Sequence, residues 1–149
     1  MNIEERATTK DDFALLFDIN KRAMKDHVIE NFGTWNDDEQ IDKFRKTTNF
    51  DEHQILLAGR EPIGFINLVY SDTEIHINRL CLLPEYHSQG IGTFILRKLI
   101  SEAAEHRTIR LQVFPKNPAV RLYRRLGFYE TSRTATHIHM VYSSEHEVR

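Results

Sequence analysis

The chain has very little cysteine: one residue, Cys81, in 149. That excludes an internal disulfide framework and fits a reducing cytoplasm. No apolar run is long enough to cross a bilayer. The opening MNIEERATTKDDF has no apolar signal-peptide core. Charge of one sign is lacking too. The formal net charge is -2 and the pI about 6.4, so bulk charge does not draw the chain to nucleic acid. Repeats, low-complexity blocks and linkers are also missing. What remains is 40% hydrophobic and 28% charged, as in a soluble globular protein with one sizeable core. A single domain over residues 1–149 is expected, with 144–149 of the polar ending SSEHEVR frayed.

The element signals are regular. Thr9 and Asp12 predict a capping box that opens a helix through DDFALLFDINKRAMKDHV, with Phe13, Leu16, Phe17, Ile19 and Ala23 as its apolar stripe. TWNDDEQIDKFRKTT reads as a second helix with Asn36 as N-cap. HQILLAG and PIGFINLVY read as strands joined by a turn at Gly59 to Pro62. TEIHINRLCLL is the next strand, and a helix follows from about Gln89 to His106. TIRLQVF is a strand, and NPAVRLYRRLG a helix that Gly127 ends. FYETSRT and THIHMVYS are two closing strands, and NIEERA supplies a first one. This order implies a mixed α/β sheet flanked by helices.

Gly90-Ile91-Gly92 stands where a strand gives way to a helix. Glycines there let the backbone turn sharply and approach a ligand. The first N–H groups of a helix lack intrahelical partners, and the helix dipole is positive at that end, which suits phosphate or pyrophosphate. A tight strand-to-helix turn that needs small residues is the other reading. The dinucleotide fingerprint does not fit, because Ile95 stands where a third small residue is required. A Walker A loop does not fit either, since no Gly-Lys-Ser/Thr follows.

The segments PEYHSQGIG and NPAVRLYRRLGF, taken together, resemble the GNAT superfamily of acyl-CoA-dependent N-acyltransferases. The family's first motif is Arg/Gln-x-x-Gly-x-Gly/Ala. Its second is an Asn, then Ala, then Leu-Tyr-x-x-Leu-Gly-Phe. Both lie in the second half of the chain, in the right order. His87 replaces the family's Arg or Gln, and Asn117 precedes Tyr123 by six residues rather than the usual seven.

The resemblance implies a GNAT-like, mostly antiparallel central sheet with helices on both faces. It also implies acetyl transfer from acetyl-CoA to a primary amine. The pyrophosphate would rest on His87, Ser88, Gln89, Gly90, Ile91, Gly92 and Thr93. The pantetheine arm would pair with backbone around Leu80, Cys81 and Leu82, where an N–H would polarise the thioester carbonyl. Asn117 would meet the same arm. A protonated alkyl amine, pKa about 10.4, must lose a proton before attack, and the leaving thiolate, pKa about 8.5, gains from a donor. Tyr123 would supply that proton as general acid. A helix aromatic packed on the sheet is the plainer explanation of Tyr123.

No motif fixes the general base. Strand alternation puts Glu74, His76, Asn78 and Leu80 on one face, so Glu74 or His76 can take the amine's proton. Either can equally be an ordinary solvent-facing residue. His137 and His139 share a face of a late strand and can line an acceptor pocket or a polar outer face. His76, His137 and His139 do not carry a zinc signature, so no metal is expected. Cys81, in an apolar strand, is expected to pack rather than react. His27, His53, His106 and His146 have no partner visible in the sequence. Asp26, Glu30, Asp37 and Asp38 favour a cationic acceptor, and a solvated charged face explains them as well.

Two other functions compete: a non-catalytic acyl-CoA-binding regulatory module, and a protein acetyltransferase of a toxin type acting on aminoacyl-tRNA. The missing basic patch speaks against the latter. No nucleic-acid or membrane partner is expected, and the chain would act as a monomer or a homodimer.

Overall fold

A computed structural model of the chain describes residues 2–104 and 106–144; His146 lies outside them. The elements are β1 (Ile3–Ala7), α1 (Phe13–Phe32), α2 (Asp37–Thr47), β2 (His53–Ala58), β3 (Glu61–Tyr70), β4 (Glu74–Leu82), α3 (Ile91–Ala103), β5 (Thr108–Val113), α4 (Ala119–Arg125), β6 (Tyr129–Arg133) and β7 (Ile138–Tyr142). Single 3-10 turns precede α1, β2 and α3. The seven strands form one mixed sheet in the order β1-β2-β3-β4-β5-β7-β6. The β1–β2, β2–β3, β5–β7 and β6–β7 ladders are antiparallel. The β4–β5 ladder is parallel, from Glu74↔Thr108 to Ile77↔Leu111.

The local signals are realised closely. The Thr9–Asp12 capping box forms on the 3-10 turn that leads into α1. α1 runs four residues beyond the expected end, to Gly33, whose φ of 87° terminates it. Asn36 Oδ1 accepts the Glu39 N–H at 3.0 Å and caps α2. α3 is shorter than expected at both ends: Gln89 and Gly90 stay in the loop, and Ala103 is its last residue.

The chain divides into two compact units. The first takes the chain up to Asn67 plus Arg79–His87; the second takes Leu68–Asn78 and the chain from Ser88 on. In the first unit Leu16, Ile19, Phe44, Ile55, Phe65, Cys81 and Leu83 form a buried cluster. Phe13, Phe17, Phe44 and Phe65 meet there with ring centroids 5.7 to 6.5 Å apart. In the second unit one sheet face is apolar, with Ile75, Ile77, Ile109, Leu111, Val113, Ile138 and Met140 all buried. α3 packs against β5 there. It buries Ile91, Ile95, Leu96, Leu99 and Ala103, residues at i, i+4 and i+8 spacing along one stripe.

Candidate functional site

The loop before α3 carries two left-handed residues, Ser88 (φ 60°) and Gly90 (φ 79°). Gly90 is the N-cap, and no side chain caps the helix. The Phe94 N–H is the first to bond back, to the Gly90 carbonyl at 3.0 Å. The N–H groups of Ile91, Gly92 and Thr93 therefore point out of the helix start, where its dipole is positive. The two glycines serve different ends. A Cβ at Gly90 would meet nothing within 4 Å, so only its positive φ requires glycine. A Cβ at Gly92 would lie 3.1 Å from Leu122 Cδ2, so this glycine lets α3 close on α4.

His87 Nε2 donates to the Leu82 carbonyl at 2.9 Å. It thus braces the end of β4 rather than standing free. Cys81 lies in the buried cluster, its thiol 3.9 Å from Asn20 Oδ1. Burial pushes the thiol up to about 12, which keeps it protonated. The Cys81 carbonyl lies so near Gly64 that a Cβ there would come within 2.1 Å of the oxygen. Gly64 is obligatory for that reason. Cys81's carbonyl therefore faces the β3 edge of β4. In a regular strand the peptide groups of Leu80 and Leu82 face the other edge.

Asn117 Oδ1 accepts the Ala119 N–H at 2.9 Å and so holds the start of α4. Tyr123 lies on α4, 8% exposed, its ring 5.6 Å from that of Phe128. The Phe128 N–H bonds to the Tyr123 carbonyl at 3.0 Å, and Gly127 at φ 103° permits the turn between them.

The second unit's other sheet face is polar. Glu74, His76, Arg110, Gln112, Thr131 and His139 line a cavity of about 140 Å³ there. His76 is the register partner of Arg110, and Gln112 that of His139. Glu74 pairs with Arg110 at 3.2 Å. Both expected base candidates thus share one groove, but Glu74 is already committed to an ion pair. His139 lines the same groove, whereas His137 stacks on Phe114 at 4.8 Å and meets the Thr136 hydroxyl at 2.8 Å.

Of the acidic residues near α2, Asp37 is occupied: Lys21 Nζ lies 2.9 Å away and Trp35 Nε1 donates at 2.7 Å. Lys21, then Trp35, holds its carboxyl below the usual range. Among the described residues no group of three or more His, Cys, Asp or Glu could hold a metal ion. No helix there is long and apolar enough to cross a membrane.

The sequence reading missed Arg110. His53, for which the sequence shows no partner, is buried and bonded through Nδ1 to the Asn49 carbonyl at 2.6 Å. Arg79 and Asn67 went unremarked, although a polar residue inside each of two apolar strand runs was a visible signal.

The model of the acetyltransferase (GNAT) family matches residues 19–128, a stretch that contains both glycine-bearing motifs. The chain belongs to the GNAT family. The N-acetyltransferase YjcF of Bacillus subtilis (strain 168), itself uncharacterized, is 26% identical over 91 residues. That match spans 61% of this chain and 63% of YjcF, less than two thirds of the relative's length. Among solved structures, the PaiA N-acetyltransferase of Thermoplasma acidophilum in complex with coenzyme A superposes with a TM-score of 0.75 at 20% identity. It covers 96% of this chain and 99% of that one. The ribosomal-protein-S18-alanine N-acetyltransferase of Escherichia coli gives 0.69 at 21%, over 98% and 97%. At these identities the likeness is one of fold, and it matches the expected mixed, mostly antiparallel GNAT sheet.

Proposed function

We propose that this GNAT protein is an acetyl-CoA-dependent N-acetyltransferase that acts on a primary amine of a small molecule or peptide by direct attack. The observation that carries the proposal is the start of α3: an uncapped helix N-terminus entered through Ser88 and Gly90, both with positive φ, inside the family's match. Its outward N–H groups suit the pyrophosphate of coenzyme A, along His87 to Thr93. The pantetheine arm lies along β4 at Leu80, Cys81 and Leu82 and pairs with the peptide groups of Leu80 and Leu82, since the Cys81 carbonyl faces β3. With the Leu82 carbonyl taken by His87, the Leu82 N–H is the donor left to polarise the thioester carbonyl. Asn117, fixed by its cap on Ala119, offers its amide to the arm.

Tyr123 protonates the departing thiolate. The amine's proton goes to His76, or to Glu74 through water, in the groove that His139 also lines. Glu74's ion pair with Arg110 favours His76 for that step. The protein works in the cytoplasm, consistent with a lone, buried, unreactive thiol, as a monomer or homodimer. It needs no metal, and neither nucleic acid nor membrane is a partner.

The packing of Tyr123 on Phe128 favours a second reading: an acyl-CoA-binding regulatory module without turnover. One experiment separates them. Free-thiol release from acetyl-CoA is followed over polyamines, amino acids, aminoglycosides and short peptides, with Tyr123→Phe beside the wild type. Release with one amine class, strongly reduced in the variant, supports the enzyme. Acetyl-CoA binding by calorimetry with no release from any amine supports the module. Failure to bind acetyl-CoA at all would end both.

A further inference from the structure

Among the described residues, three buried polar atoms of the first unit have no hydrogen-bond partner: His53 Nε2, Asn67 Oδ1 and Arg79 Nη1. They are neighbours. His53 and Asn67 are directly opposed across β2 and β3, so their side chains leave the same face with Cβ atoms about 5 Å apart. Arg79, on β4, lies near enough for its charge to act on the His53 ring. The aromatic walls are shared. The Arg79 guanidinium sits 4.7 Å over Phe44, Phe44 meets Phe65 at 6.4 Å, and Phe65 meets His53 at 5.5 Å.

The donor and acceptor count is informative. His53 Nδ1 donates to the Asn49 carbonyl, so the neutral ring presents a bare lone pair at Nε2. Asn67 Oδ1 accepts only, and Arg79 Nη1 donates only. An anion here would face two lone pairs, and a cation would face the guanidinium. A water molecule fits: it donates one hydrogen to His53 and one to Asn67 while accepting from Arg79. Buried polar groups left unpaired are costly, so such a water is retained.

We propose that His53, Asn67 and Arg79 bind one internal water that ties β2, β3 and β4 together beneath Phe44. The site makes the first unit sensitive to acid. Protonating His53 puts a hydrogen on Nε2, turns an acceptor into a donor and adds a cation beside Arg79. Burial, and after it Arg79, holds His53 below the ordinary imidazole value, while the Asn49 carbonyl and Glu52 act the other way. These are the charged and polar groups that face the ring: Glu52 from its own turn, Arg79 from β4 and Asn67 from β3. A lowered native pKa means that the unfolded chain binds the proton first. The stabilisation is therefore complete above about pH 6.5 and lost as pH falls from there through the native value.

The test uses the full chain. A crystal structure at about 1.5 Å should show one solvent peak within hydrogen-bond distance of all three atoms. A direct bond from Arg79 to Asn67 or His53, with no peak, would overturn the proposal. Nitrogen NMR of the His53 ring gives an independent reading. A neutral Nδ1–H tautomer that persists below pH 6, with Nε2 shifted as a bonded acceptor, supports it. Protonation at the ordinary value, or the opposite tautomer, refutes it. In urea the wild-type unfolding constant should rise up to about tenfold per pH unit below 6.5. His53→Gln should flatten that slope, and an unchanged slope in this variant counts against the site.

Discussion

Each unit sets a histidine beside an arginine, and the two pairs differ in kind. In the first unit His53 is fully buried, and among the described residues no carboxylate pairs with its neighbour Arg79. In the second, His76 faces Arg110 across a parallel ladder, and Glu74 meets that arginine's charge at 3.2 Å in an open groove. The residue types are the same. Burial decides what they do: a histidine sealed from solvent can only brace its surroundings, whereas one lining a groove can exchange protons with a substrate. Of the two pairs, the buried one thus belongs to the frame, and the one in the groove can take part in proton transfer.

Four substitutions sharpen or break that contrast. Phe65→Ala strikes the frame at a fully buried ring that touches both Phe44 and His53. It should cost about 3–5 kcal/mol in urea unfolding, with the rate per folded molecule unchanged. Tyr123→Phe tests the proposed general acid. Turnover should fall about 100-fold, close to 2.7 kcal/mol of barrier, with little change in Tm. A large drop in Tm with turnover kept would instead move Tyr123 to the frame.

Gly90→Ala tests a position where the two demands meet. Its φ of 79° makes any side chain cost about 1 kcal/mol, and coenzyme A binding by calorimetry should weaken with it. Glu74→Gln should be the mildest for stability. An exposed pair contributes at most about 1 kcal/mol, so thermal unfolding should scarcely change. If the pH–rate profile is equally unmoved, His76 is left as the base; loss of the acidic limb would assign the proton to Glu74.

Much of this was legible in the sequence. The Thr9–Asp12 box, the Asn36 cap and the Gly127 stop form where the residues predicted them, and α3 starts two residues after the expected Gln89. Each depends on bonds spanning a few positions. The helix ends moved by a few residues because packing sets where a helix stops paying its entropy cost. The polar contacts were another matter. Nothing local says that Glu74 meets Arg110, 36 positions later, or that His53 sits opposite Asn67. The resemblance places His87 under the pyrophosphate; its bond to the Leu82 carbonyl comes from the way the chain turns after β4.

The sequence by itself determined the order of helices and strands, their caps and the family to which the chain belongs. Periodicity, capping and glycine placement act within a turn or two of chain, and they read the same in any surroundings. Only the tertiary structure decided which polar side chains share a groove and which are sealed into a core. That choice depends on strand register between distant segments. A shift of one residue would send every one of these side chains to the opposite face.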